Sequence, residues 1–114
     1  MSRTPNDPVL RKEMCQRLSL LLKTAYDDNW SQLAFRLGYA NPSSIMSVRR
    51  GKSFPDVQRL SLISDWIIEG KYRPSVDWIL CNQGPAVVRI SRGKIVEGLS
   101  LTELAAKRAM KRKI

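Results

Sequence analysis

Residues 29–51, NWSQLAFRLGYANPSSIMSVRRG, leave this chain few choices of fold. They spell two short helices and a tight turn. Asn29 is a capping residue, and Gln32 follows at the spacing of a capping pair. Leu33, Ala34 and Leu37 share one side of a helix over residues 30–37, and Gly38 supplies the left-handed conformation that ends it. Asn41-Pro42 is a second opening signal, a cap followed by a first-turn proline. The second helix runs from Ser43 through Arg50 and stops at Gly51. Ile45 and Val48, three apart, face the core together, and the rest of that helix is small, polar or cationic. Two helices joined in this way make a helix-turn-helix, whose second helix fits the DNA major groove. Small-residue turns between amphipathic helices also occur where no DNA is bound.

The charge balance favours the first use. Twenty Lys and Arg stand against ten Asp and Glu, a formal charge of +10 on 114 residues, which suits a polyanionic partner. The excess builds along the chain. Residues 1–29 carry five cations and four acids, residues 30–85 seven and four, and residues 86–114 eight and two. Histidine is absent, and no metal cluster, phosphate loop or nucleophile–base pair is legible, so neither an enzyme nor a cofactor is expected. Cys15 and Cys81 lie in apolar helical surroundings and read as buried thiols, which suits a reducing, cytoplasmic setting. No run of ~20 apolar residues marks a membrane span, and the polar start does not read as a signal peptide.

Helical patterning surrounds the central motif. Residues 1–6 are polar. Asp7-Pro8 opens a helix to about Tyr26, with Leu10, Met14, Leu18, Leu21, Leu22 and Ala25 as its apolar stripe and Arg11, Lys12, Arg17 and Lys23 on the other face. Pro55 opens a fourth helix, in which Val57, Leu60, Ile63 and Ile67 keep the period until Gly70. Pro74-Ser75 opens a fifth over residues 76–82, anchored by Trp78 and Ile79 and stopped by Gly84-Pro85. Residues 7–85 thus read as one helical domain. Residues 86–114 change character. Two β-branched runs, 86–90 and 94–96, flank Ser91-Arg92-Gly93 and predict a β-hairpin. Ser100-Leu101-Thr102-Glu103 is a capping box that opens a last helix, its end crowded with Lys107, Arg108, Lys111, Arg112 and Lys113. That cluster is a candidate for non-specific contacts to nucleic acid.

Three features now point the same way: Gln-Leu-Ala-Phe-Arg-Leu-Gly at 32–38, Ile45 and Val48 ahead of Arg-Arg-Gly, and Val76-Asp77-Trp78-Ile79-Leu80 leading to Gln83-Gly84-Pro85. With them, residues 14–85 resemble the helix-turn-helix domain of temperate-phage lysogeny repressors and Cro-like regulators. The resemblance implies a mainly α fold: a five-helix repressor-like domain, then a small β-hairpin and a C-terminal helix. Two departures stand out. Ile45 comes seven residues after Gly38, one more than in the family's commoner turn, and no protease-like or oligomerising domain follows. The resemblance is therefore to a short, minimal repressor without self-cleavage.

With Ile45 and Val48 inward, the expected base-reading residues are Ser43, Ser44, Met46, Ser47 and Arg50. Ser43 and Ser44 fit plain helix capping equally, and Arg49 and Arg50 fit a helix C-terminus. Phosphate contacts are expected from Asn29, Trp30, Gln32, Arg49 and Lys52, although Trp30 suits a place packed against the first helix as well, and Tyr39 in the turn is equally ambiguous. Double-stranded DNA is the expected partner, with no membrane and no small-molecule ligand. A homodimer is expected through Val87, Ile90, Ile95, Val96, Leu101, Leu104 and Ala105, because a lone hairpin is marginal in water. The competing account folds the hairpin back on its own domain. For function, the alternatives to a repressor are a DNA-bending or excision factor of a mobile element and an antitoxin-like protein-interaction module.

Overall fold

The computed structural model describes residues 7–112, the side chain of residue 112 excepted; the polar start at 1–6 and Lys113 lie outside the described residues. Helices begin where a short polar side chain precedes an apolar period. Asp7 caps α1 (Pro8–Ala25), its carboxylate accepting from the N–H groups of Val9 and Leu10 at 2.9 and 3.2 Å. Cys15, Leu18, Leu22 and Ala25 recur at three and four along α1 and, with Leu21, are buried. Next come α2 (Trp30–Arg36) and α3 (Ile45–Arg49), with one tighter 3₁₀ turn, Pro42–Ser44, directly ahead of α3. The order continues with α4 (Val57–Ser61), β1 (Arg73–Pro74), α5 (Val76–Cys81), β2 (Val87–Ser91), β3 (Lys94–Leu99) and α6 (Leu101–Arg112). The three strands form one antiparallel sheet in the order β1-β2-β3. A mainly helical chain carrying a hairpin and a last helix agrees with the sequence reading, and the departures are local.

The fourth helix is shorter than its period suggests. It stops at Ser61. Ser61 and Ser64 donate their hydroxyls to the carbonyls of Gln58 and Ser61 at 2.6 and 2.7 Å, side-chain bonds that compete with the helical ladder. Leu60 and Ile63 are buried as expected, but Val57 and Ile67 are exposed, and Trp66 and Ile68 take the inward places. Tyr26 accounts for the switch. Its ring stacks on Trp66 at 3.5 Å between centroids, and its hydroxyl donates to the Trp66 carbonyl at 2.7 Å. Ile68 then bridges back to Tyr72.

Residues 86–112 pack on the same core as the helices. Val87, Leu99 and Leu104 join one buried cluster with Leu18, Leu22 and Ile79. β1, which no β-branched run announces, pairs Arg73 with Val88 and Pro74 with Val87 and ties the hairpin to the helical part. α6 packs against α1. There Arg108 donates to the Ala25 carbonyl and pairs with Asp27 and Glu69 at 3.3 and 3.4 Å. Arg17, expected on a solvated face, donates to the carbonyls of Ile79 and Leu80 at 2.8 and 3.1 Å, satisfying acceptors that the end of α5 leaves without helical partners. Cys15 is buried, but Cys81, expected to be buried too, is exposed. Among the described residues no helix is long and apolar enough to cross a membrane.

Candidate nucleic-acid interface

α2 and α3 are set by local chemistry at each end. The Asn29 side chain accepts from the Gln32 N–H at 3.0 Å, and the Asn41 side chain accepts from the Ser43 N–H at 2.9 Å. Both helices close in the same way. Gly38 and Gly51 take φ of +79° and +75°, which lets the following N–H groups turn back. Tyr39 N–H reaches Ala34 O and Gly38 N–H reaches Phe35 O, each at 3.0 Å; Lys52 N–H reaches Ser47 O at 2.9 Å and Gly51 N–H reaches Val48 O at 3.0 Å. The turn between the helices is therefore fixed at its start by the left-handed Gly38 and at its end by the Asn41 cap.

The inner faces anchor the pair. Leu33, Ala34, Leu37, Ile45 and Val48 are all buried. Outward, Ser43, Ser44, Arg49, Arg50 and Lys52 are exposed, whereas Met46 and Ser47 are half-buried. The Ser47 hydroxyl already accepts from the Ser53 hydroxyl at 2.8 Å. Arg49 lies over the Trp30 ring, its guanidinium carbon 5.6 Å from the centroid, a cation–π contact. No carboxylate occurs between Trp30 and Pro55, a span that carries Arg36, Arg49, Arg50 and Lys52. Among the described residues none of Arg49, Arg50 and Lys52 is ion-paired.

Trp30 departs from its expected role. It is 8% exposed, and its indole N–H donates to Asp28 at 3.0 Å, so the donor assigned to phosphate is already engaged beside a carboxylate. Asn29 is exposed with its carbonyl oxygen spent on the cap, and Gln32 is exposed on α2. Tyr39 is half-buried under Arg59, whose guanidinium carbon sits 4.5 Å from the ring centroid. Burial pushes its phenol pKa up, and the nearby Arg59 charge only partly offsets this.

Sequence reasoning overlooked the contribution of α1. Arg11 donates to the Gly51 carbonyl at 3.3 Å, and Lys12 lines an open cleft of about 540 Å³ with Gln16, Arg49, Arg50 and Gly51. Lys12, Gln16 and Ser19 do form a polar stripe at helical spacing, but a stripe does not say what lies beyond it. Cys15, on the same cleft, donates its thiol to the Ser53 carbonyl at 3.2 Å, and burial raises its pKa despite the neighbouring Arg11. That is an inert thiol.

The hairpin and last helix hold two further corrections. Val87 and Leu104 are fully buried in the chain's own core and Leu101 is half-buried against it, so the stripe set aside for a second copy is already used. Ile90, Ile95, Val96 and Ala105 remain exposed. The described cations of the terminal cluster are also engaged. Lys107 donates to the Tyr72 hydroxyl at 2.9 Å and to Glu97 at 3.2 Å, Lys111 meets Glu69 at 3.0 Å, and Arg108 holds Asp27 and Glu69.

Comparison with known protein families, with curated proteins and with solved structures finds no match to this chain.

Proposed function

We propose that the chain is a sequence-specific DNA-binding transcriptional regulator, a short phage-type repressor whose five-helix helix-turn-helix unit sets α3 in the major groove. One observation supports this above all others. Residues 42–50 bury Ile45 and Val48 and turn to solvent the hydroxyls of Ser43 and Ser44 from the 3₁₀ turn and the cations Arg49 and Arg50 at the end of α3, without a carboxylate. In that pose Arg50 pairs with guanine O6 and N7, Ser43 and Ser44 bond base edges, Ser47 does so if it exchanges its bond to Ser53, and Met46 packs on a thymine methyl. Arg49, Lys52 and Gln32, joined by Arg11 and Lys12 from α1, hold phosphates and set the register. An inverted-repeat operator calls for two copies with their recognition helices ~34 Å apart. The surface assigned to the second copy is the exposed set Ile90, Ile95 and Val96 beside the open edge of β3. The setting is the cytoplasm, where the DNA is.

Footprinting on the DNA that flanks the protein's own gene, with sedimentation in parallel, tests the reading. The expected result is two protected inverted half-sites occupied by a dimer. Several direct repeats would favour the architectural or excision role. No protection, with equal affinity for random duplex, overturns sequence-specific recognition.

A further inference from the structure

The open cleft of about 540 Å³ beside α3 has two walls of different origin. Lys12, Gln16, Ser19 and Leu20 come from α1, and Arg49 and Arg50 come from the end of α3. The α1 residues follow one another along a single helix face. From Lys12 to Ser19 that face runs for roughly 10 Å, at ~1.5 Å of rise per residue. Two bonds tie the walls together. Arg11 donates to the Gly51 carbonyl at 3.3 Å, and the Cys15 thiol donates to the Ser53 carbonyl at 3.2 Å. The walls are open to solvent: Lys12, Gln16, Arg49 and Arg50 are exposed, and Leu20 is 52% exposed. No carboxylate lines the cleft, and Glu13, the acid of α1, is not part of its lining. Lys12, Arg49 and Arg50 have no ion pair among the described residues.

We infer that this cleft seats a stretch of DNA backbone, with α1 as its second wall. Lys12 and Arg49 meet phosphates from the two sides. Gln16 and Ser19 donate to phosphate oxygens further along, and Leu20 lies against the apolar edge of a sugar. The dimensions and chemistry of the walls select this occupant. A wall of roughly 10 Å outspans one inorganic anion and covers more than one repeat of a strand that carries a charge every ~3.4 Å of helix axis. A carboxylate offers two oxygens in one plane, whereas a phosphate presents oxygens to both walls at once. An apolar partner would strip water from three cations and give nothing in return. The assignment rests on the DNA-binding reading. It extends the α1 contact from Lys12 to Gln16, Ser19 and Leu20, residues that position the duplex and read no base.

Backbone contacts carry no sequence information, so a duplex of mixed sequence is the probe. It is titrated at low salt into the isotope-labelled full chain and read by amide chemical shifts. Shifts are expected along residues 12–20 as well as 43–52. Leu20→Glu puts a carboxylate into the seat and should weaken the duplex about tenfold or more. Met110→Glu on α6 changes the net charge equally and should cost no more than about threefold. Both side chains are exposed, at 52% and 70%, and an unchanged urea midpoint verifies the fold. Gln16→Ala, a milder change at an exposed site, should weaken the duplex several-fold. Equal losses for Leu20→Glu and Met110→Glu, or no shifts along residues 12–20, overturn the seat and leave DNA binding by α3 standing. No duplex binding at all overturns the parent reading and the seat with it. Inorganic phosphate should move the same amides without saturating. Saturable capture of phosphate alone makes the cleft a free-anion site and overturns the backbone assignment.

Discussion

Two basic regions of this protein use the same charges in opposite ways. Around α3, Lys12, Arg49, Arg50 and Lys52 have no ion-pair partner among the described residues. Along α6, Lys107, Arg108 and Lys111 are each bound to a carboxylate, and Arg108 also holds a backbone carbonyl. Counting charges along the sequence does not show this, since residues 86–114 hold eight cations and two acids, and only the fold pairs Arg89, Lys107, Arg108 and Lys111. Of the acids that pair with the described cations of α6, Glu97 on β3 lies within that stretch, while Asp27 after α1 and Glu69 before β1 come from outside it. A cation contributes to the field felt by a polyanion only where the fold leaves it uncompensated. The described cations of α6 are thus spent within the chain, whereas those around α3 have no ion pair among the described residues.

The largest expected effect is therefore one of stability. Leu104→Ala empties a fully buried site and should cost about 2–5 kcal/mol in urea unfolding. An unchanged midpoint would show that α6 is detached and the contrast empty. Arg108→Ala comes next. Its side chain is 14% exposed and serves the Ala25 carbonyl, Asp27 and Glu69 together. Removing it leaves those acceptors short and should cost about 2–3 kcal/mol. If the cost is negligible while affinity for DNA collapses, the two regions have been assigned the wrong way round.

What the sequence made legible, and what it hid, follows the range of the interactions concerned. The caps at Asn29, Asn41 and Ser100 and the stops at Gly38 and Gly51 are written within five residues of where they act, and they read correctly. The inward pair Ile45 and Val48 is set by helical spacing alone. Long-range choices were invisible. Trp66 displaced Ile67 from the core because Tyr26, 40 residues earlier, offers a ring and a hydroxyl. Arg17 left the solvated face because α5 presented unpaired carbonyls. Val87 and Leu104 read as a free stripe only because nothing local names α1 and β1 as their cover. The pairing of α6 cations with distant acids is hidden for the same reason.

At the interface the expected effects are smaller and concern recognition. Arg50→Ala should leave the unfolding midpoint in place and cost about 1–3 kcal/mol on the operator, with discrimination relaxed at one base position. Equal losses on operator and random duplex would make Arg50 a phosphate contact. Lys12→Ala and Lys52→Ala should each lower the salt dependence of binding by about one ion while keeping sequence preference. Lys111→Ala, at the paired end, should leave that slope unchanged. A slope that falls equally for Lys111→Ala and Lys52→Ala breaks the comparison.

The smallest effect lies in the pairing that silences α6, and pH exposes it. Glu97 accepts the Tyr72 hydroxyl and the Lys107 ammonium, with Arg89 at 3.5 Å. The Tyr72 bond first, and the Lys107 bond second, hold its carboxyl below the usual range. The same partners, Tyr72 ahead of Glu97, raise Lys107. A carboxylate held low in the folded chain binds fewer protons there than when unfolded, so its stabilisation is complete above the ordinary glutamate pKa, about 4.3, and is lost as pH falls below it. A lysine held high stabilises fully below its ordinary value, about 10.4, and loses that contribution as pH rises through the folded one. The triad is thus intact across neutral pH and opens at the acid end through Glu97. Tyr72→Phe removes the largest cause while leaving Lys107 in place. A carboxyl titration by NMR should then show Glu97 moving back toward the ordinary value without reaching it, and the acid limb of urea stability should flatten. If Glu97 titrates identically with and without the Tyr72 hydroxyl, the triad is only proximity, and the silence of α6 rests on Glu69 and Asp27 alone.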